Sequence, residues 1–169
     1  MPCASFQKWL SRIELCDREY DGERMLDGHY RMPRWRLRYG EPFDNHFFEI
    51  ITDMPVKSLI TAPRDGFWAP AGAPLPIRGH AWSGHVPVAR VEISLDGGRS
   101  WDNAELKPAS GRFAWRRFTF VARQLPAGEV EIIARAMDGA GRVQPLECVA
   151  WNPRGYLNNM VHRVRGELR

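Results

Sequence analysis

Cysteine is scarce in this chain of 169 residues, and lysine is scarcer than its charge suggests. The three cysteines, Cys3, Cys16 and Cys148, show no metal-ligand spacing, and an odd count argues against a disulfide framework. They are expected to be free thiols. Only Lys8, Lys57 and Lys107 among the 24 basic residues are lysine; the rest are arginine. No apolar run approaches the roughly 18 residues that a membrane helix needs, so no membrane partner is expected. Met1 to Leu15 lacks a continuous apolar h-region. The cytoplasm is therefore the default compartment, with the periplasm left open to a longer precursor. The five histidines, His29, His46, His80, His85 and His162, show neither i, i+2 nor i, i+4 pairing, which excludes the usual metal-binding spacings.

What the chain does have is turn chemistry around short alternating runs. In Val88 to Trp101, Ala89, Val91, Ile93 and Leu95 alternate with Arg90, Glu92 and Ser94, the period of a half-buried strand. Asp96-Gly97-Gly98 follows as a hairpin signal, and Trp101 offers a large apolar plug. Val56 to Thr61 reads as a strand closed by Pro63-Arg64-Asp65-Gly66. Leu75, Ile77, Gly79 and Ala81 alternate with polar or bulky neighbours, as do Val130, Ile132, Ala134 and Ala136. Ala104-Glu105-Leu106 suits a short edge piece. Phe113 and Trp115 have opposite parity to Phe118 and Phe120, which predicts a β-bulge at Arg116-Arg117. Val143 to Trp151 reads as a last strand. The fold class expected is all-β, an immunoglobulin-like antiparallel β-sandwich of about seven strands.

Residues 1–53 differ in texture. Lys8 to Leu15 is too short to decide between helix and strand. From Cys16 to Asp53 charges, turn residues and many aromatics mix without a lasting period, the pattern of an extended, mostly irregular segment that buries its rings on a neighbour. Arg31, Arg34, Arg36 and Arg38 around Trp35 have the outline of a nucleic-acid patch. The net charge of only +4 favours solvated or acid-paired arginines instead, and nucleic acid is not expected as a partner.

The tail, Trp151-Asn152-Pro153-Arg154-Gly155-Tyr156-Leu157-Asn158-Asn159, fixes one arginine between two conformational specialists. It resembles the C-terminal end of molybdenum enzymes of the sulfite oxidase family. The resemblance runs back through Gln144-Pro145, Ala134-Arg135-Ala136, Ser94-Leu95-Asp96-Gly97-Gly98-Arg99-Ser100-Trp101 and Met54-Pro55-Val56-Lys57-Ser58. It covers about residues 54–164 and corresponds to the family's immunoglobulin-like dimerisation domain. Lys8-Trp9-Leu10 is similar to the motif that closes the family's molybdopterin-binding domain.

The resemblance implies a division of the chain and a set of roles. Residues 1–53 would be the remnant of a molybdopterin domain plus a linker, and 54–169 the dimerisation domain with its tail. In the family the catalytic domain holds a molybdenum–molybdopterin cofactor through a cysteine thiolate and transfers an oxygen atom, typically from sulfite to sulfate. The dimerisation domain pairs subunits and lends one arginine to the anion pocket. That arginine falls on Arg154, and Lys8 aligns with a residue near the pterin phosphate. A guanidinium suits the task because its planar fork of donors matches an oxyanion. No cysteine here can be carried over as the metal ligand. The expectation is a chain without a cofactor of its own that forms a homodimer or joins a separate molybdopterin-binding chain. The alternative is a free-standing β-sandwich that binds an anion or a protein partner.

Overall fold

Period-two alternation along the central strands builds two sheets whose apolar faces meet. The computed structural model of the chain describes residues 9–18, 22, 29–35, 37–147 and 151–169. The chain divides into two units, Met1–Thr52 with Val149–Asn158, and Asp53–Cys148 with Asn159–Arg169.

In the first unit β1 (Arg31–Pro33) pairs antiparallel with β2 (Phe48–Ile50), and a short 3-10 turn at Asn45–Phe47 leads into β2. Some of the rings expected to seek a neighbour touch one another, while Trp35 and Tyr39 stay exposed. Trp35 meets Phe47 edge-on at 5.1 Å, and Phe43 meets Phe48 at 5.2 Å. Offset and edge-on geometries of this kind are the favoured ones for aromatic pairs. Residues 9–18 adopt no regular structure, and Trp9, Ile13 and Leu15 are exposed.

The second unit is the sandwich. Its strands are β3 (Lys57–Ala62), β4 (Phe67–Ala69), β5 (Leu75–Trp82), β6 (Val88–Ser94), β7 (Asp102–Asn103), β8 (Glu105–Leu106), β9 (Arg116–Ala122), β10 (Gly128–Asp138) and β11 (His162–Leu168). One sheet has the order β3-β5-β9-β8, the other β4-β11-β10-β6-β7. All pairs are antiparallel except β4 with β11. Ile77, Val91, Ile93, Phe118, Ile132 and Val164 are essentially sealed from solvent between the sheets. Each such side chain contributes about 1.5–3 kcal/mol by leaving water. The all-β, immunoglobulin-like architecture expected from the alternation is the one present, with nine strands once the two- and three-residue edge pieces are included.

Three local expectations are corrected. Val143–Trp151 is not the last strand: among the described residues only an isolated bridge from Val143 to Met137 forms, and the last strand is β11. Cys148 to Ala150 lie outside the described residues. Nor is there a bulge at Arg116-Arg117, because β9 pairs residue by residue with β5 from Ala81↔Arg116 to Leu75↔Ala122. Phe113 and Trp115 precede the strand and stay exposed. Ala89 does not face the core. A register shift at Met137/Asp138 inserts it as an extra residue opposite β10, so Val88 is buried in its place. The hairpin expected at Asp96-Gly97-Gly98 does form, through a loop long enough that Ile93 pairs with Asp102.

The two sheets are tied at one edge by a histidine. His162 Nδ1 accepts a hydrogen bond from Ile60 N–H at 3.3 Å, satisfying a donor on edge strand β3. Burial lowers the His162 pKa and nearby Lys57 lowers it further, while Asp65 opposes them. A depressed histidine pKa means that the unfolded chain binds the proton more readily, so stability rises with pH through this window. The contribution is complete above about pH 6.5 and is lost as pH falls through the lowered native pKa. Urea unfolding at pH 8 and pH 5 is expected to show this loss, and His162→Asn is expected to diminish it. An unchanged pH difference in the variant would contradict the assignment.

Candidate functional site

The tail forms a closed turn with Arg154 at its tip. Asn152 occupies the first position, Pro153 the second and Gly155 the fourth, residue types that each suit such a turn. Gly155 N–H donates to Asn152 C=O at 2.8 Å, and Gly155 takes φ +72°, which a side chain would resist. Asn152 does three jobs. Its Oδ1 accepts Arg154 N–H at 2.9 Å, and its Nδ2 donates to Arg31 C=O at 3.1 Å.

Aromatic contacts flank the turn on both sides. Trp151 N–H donates to Leu37 C=O at 3.1 Å, and the Trp151 ring meets Tyr39 at 5.3 Å and Phe43 at 6.4 Å. Tyr156 stacks on Tyr30 with ring centroids 5.5 Å apart. The backbone that carries Arg154 is therefore held at both ends while its side chain is exposed. Such a cation can meet an oxyanion with two parallel N–H donors without reorganising the loop. Asn152 is the one that shapes the Arg154 turn, and the Asn-Pro step was its signal. Asn159 instead donates through Nδ2 to Val56 C=O at 3.4 Å.

Lys8, expected near a pterin phosphate, lies outside the described residues, as do Cys3, Cys148 and Arg36. Cys16 is exposed. Among the described residues no three His, Cys, Asp or Glu side chains gather as a metal site would require, and no buried thiol is aimed at a common point. These residues do not by themselves fit a molybdenum–pterin group. No helix of the described residues is long and apolar enough to cross a membrane.

The motif residues inside the sandwich act as supports. Gln144 is 1% exposed, and its Oε1 accepts three donors: Ser58 N–H at 2.8 Å, Ser58 Oγ–H at 2.7 Å and Ala136 N–H at 3.1 Å. Two of these are backbone N–H groups, which fixes the amide with its oxygen toward them. Nε2 then donates to Met160 C=O at 3.1 Å. One side chain so joins β3, β10 and the approach to β11. In the β6–β7 loop, Asp96 Oδ1 accepts Ser100 N–H at 2.9 Å and Arg99 N–H at 3.0 Å, and Oδ2 accepts Ser100 Oγ–H at 2.7 Å. These bonds, with one from Ser94, hold the Asp96 carboxyl well below the usual carboxylate range. Trp101 is a half-buried plate rather than a core plug. The Arg135 guanidinium lies 3.8 Å from the centre of its ring and also pairs with Glu92 at 2.7 Å.

Residues 48–168 match the model of the Mo-co oxidoreductase dimerisation domain. The chain belongs to this family. Human mitochondrial sulfite oxidase is 44% identical over 123 residues, which cover 68% of this chain and 22% of that protein. The NADH nitrate reductase of Lotus japonicus is 32% identical over 177 residues, covering 94% of this chain and 19% of its own length. In the crystal structure of the sulfane dehydrogenase SoxCD from Paracoccus pantotrophus, a chain of 29% identity superposes with a TM-score of 0.64. The superposition covers 83% of this chain and 35% of that one. The chain thus spans only 22% and 19% of the two curated relatives. Family members depend on a molybdenum cofactor, and the matched portion is the dimerisation region.

Proposed function

We propose that this chain is the subunit-pairing part of a molybdenum-dependent oxidoreductase of the oxygen-atom-transfer type, with sulfite as the kind of substrate. The observation that carries the reading is the match of residues 48–168 to the dimerisation-domain family. The identity to sulfite oxidase supports the substrate class. In this reading residues 54–169 make the subunit interface. Residues 1–53 are the end of a molybdopterin-binding domain followed by a linker, with Lys8 close to the pterin phosphate. The partner is a second copy of the chain or a separate molybdopterin-binding chain. The cofactor belongs to that molybdopterin domain.

Arg154 is assigned to the anion pocket. Its support is the rigid turn beneath an exposed guanidinium, which suits binding a sulfite-like oxyanion without bringing a base or nucleophile of its own. In the enzyme that carries this domain, Arg154→Gln is expected to raise KM for sulfite by roughly 10–100-fold. That corresponds to the ~1.5–3 kcal/mol of a charge-assisted hydrogen bond. The thermal midpoint should stay within about 2 °C, because the side chain is exposed. An unchanged KM would remove Arg154 from the pocket. Tight sulfate binding by this chain alone, measured by calorimetry, would instead mark a free-standing anion-binding module.

A further inference from the structure

The two sheets of the sandwich differ in the sign of their charge. Strands β4, β6, β7, β10 and β11 carry more acids than arginines, and the arginines are matched within the face: Glu131 pairs with Arg163 and Arg165, and Glu92 with Arg90 and Arg135. Strands β3, β5, β8 and β9 carry Lys57, Arg78, Arg116 and Arg117 against a single acid, Glu105, which pairs with Lys107. Arg78 and Arg117 are exposed, and among the described residues neither has a carboxylate partner. The register makes them neighbours: His80 stands opposite Arg117 and Arg78 opposite Thr119, so the two guanidinia are diagonal across β5 and β9 on one outward face. Like charges this close, with no acid between them, are a field that an anion relieves. Four residues along β5 from Arg78, about 13 Å at ~3.3 Å per residue, the same face carries an aromatic plate. Trp82 and Trp115 stack there at 4.7 Å with their planes 17° apart, and Trp115 is 58% exposed. The exposed tryptophan of the other sheet has the opposite surroundings, since Trp68 stands beside Glu167, and Glu167 beside Glu129.

We propose that this face binds an acidic segment of a partner polypeptide, with its carboxylates on Arg78 and Arg117 and an apolar side chain on the open side of Trp115. Charge complementarity selects the occupant. A guanidinium meets a carboxylate with two parallel donors, and arginine beside tryptophan, with acids depleted, is the composition of an interface centre. An extended segment of about five residues spans the ~13 Å between the two anchors. Single-stranded nucleic acid fits less well, because successive bases need successive free rings. Trp115 offers one open side, its other lying on Trp82, and the neighbouring exposed ring of Phe113 already carries Arg112 at 4.9 Å. This binding stands or falls independently of the subunit pairing proposed above.

Fluorescence anisotropy with the full chain tests this. The probe is a labelled peptide that begins with two glutamates and ends, after a short Gly-Ser spacer, in Leu-Trp. At about 20 mM salt the expected Kd is on the order of 100 μM or tighter. It should rise at least about tenfold in each of Arg78→Glu, Arg117→Glu and Trp115→Ala, and stay within about twofold in Trp68→Ala on the other sheet. Raising the salt to about 200 mM should weaken binding by about fivefold or more, because the paired charges are exposed. The same peptide with lysines in place of the glutamates should not bind. Far-UV circular dichroism confirms that each variant is folded, and the two arginine variants decide if Trp115→Ala is not. No binding of the acidic peptide, or binding that all three face variants leave intact, would overturn the proposal. Tighter binding of a single-stranded oligothymidylate than of the peptide would overturn it in favour of nucleic acid.

Discussion

Gly79→Ala is expected to destabilise the sandwich by about 3 kcal/mol or more, an unusual effect for one added methyl group. Gly79 faces the core from β5, directly opposite Phe118 on β9. A Cβ there would stand 2.2 Å from Leu59 C=O and 2.2 Å from the Phe118 ring. The ring is a terminal group and can move; the carbonyl belongs to the β3 backbone and moves only with the strand. Combining Gly79→Ala with Phe118→Leu should therefore recover only part of the loss. The midpoint of thermal unfolding is expected to fall by roughly 6–12 °C for a chain of this size. A variant within about 1 °C of wild type would show that the strands are looser than this packing implies.

Gln144→Leu is expected to cost about 3 kcal/mol while keeping nearly the same volume. Leucine fills the space but accepts nothing. Ser58 N–H and Ala136 N–H would lose their acceptor inside the sandwich, at about 1–3 kcal/mol for each orphaned donor. Ser58 Oγ–H can turn to Ala134 C=O, 3.1 Å away, so the hydroxyl adds little to the loss. Met160 C=O would lose the Nε2 donor as well, loosening the entry to β11. Denaturant unfolding should show a lower midpoint at a similar slope, because the surface exposed on unfolding hardly changes. A midpoint equal to wild type would mean that water replaces the amide.

How much of this was legible in the sequence depends on whether burial was one-sided. β5 and the inner part of β10 read clearly, because Leu75, Ile77 and Ala81, and Ile132, Ala134 and Ala136, alternate with groups facing out. β11 did not. In His162–Leu168 only Val164 and Leu168 are buried apolar residues, and a glycine takes the inward position between them. Gly166 is there because the Phe67 ring occupies the space, with an added Cβ only 2.3 Å from it. A strand whose inner face is filled by a neighbour's side chain carries little hydrophobic period. The opposite error arose at Val143, where an apolar stretch that looked like a strand is the approach to the Gln144 bridge. The parity of Phe113 and Trp115 misled because both precede β9, which only the β9 register makes visible.

The Arg154 turn was legible as chemistry, since Asn, Pro and Gly each sit where the turn favours them. The proposal that Arg154 meets an anion came from family resemblance alone. No local pattern could have supplied it, because the walls of a pocket drawn from distant segments leave no spacing to read. The stack of Trp82 on Trp115 was illegible for a related reason. Its members are far apart in sequence, and strand pairing brings them together.

The mass of the protein in solution tests the pairing function most directly. Native mass spectrometry at micromolar concentration, with dilution to separate specific from incidental association, is expected to give a species of twice the 19.4 kDa chain. No trimers or open-ended oligomers should accompany it, because a two-fold interface closes on itself. A species of 19.4 kDa at every concentration would contradict pairing of two copies and leave a separate molybdopterin-binding chain as the partner.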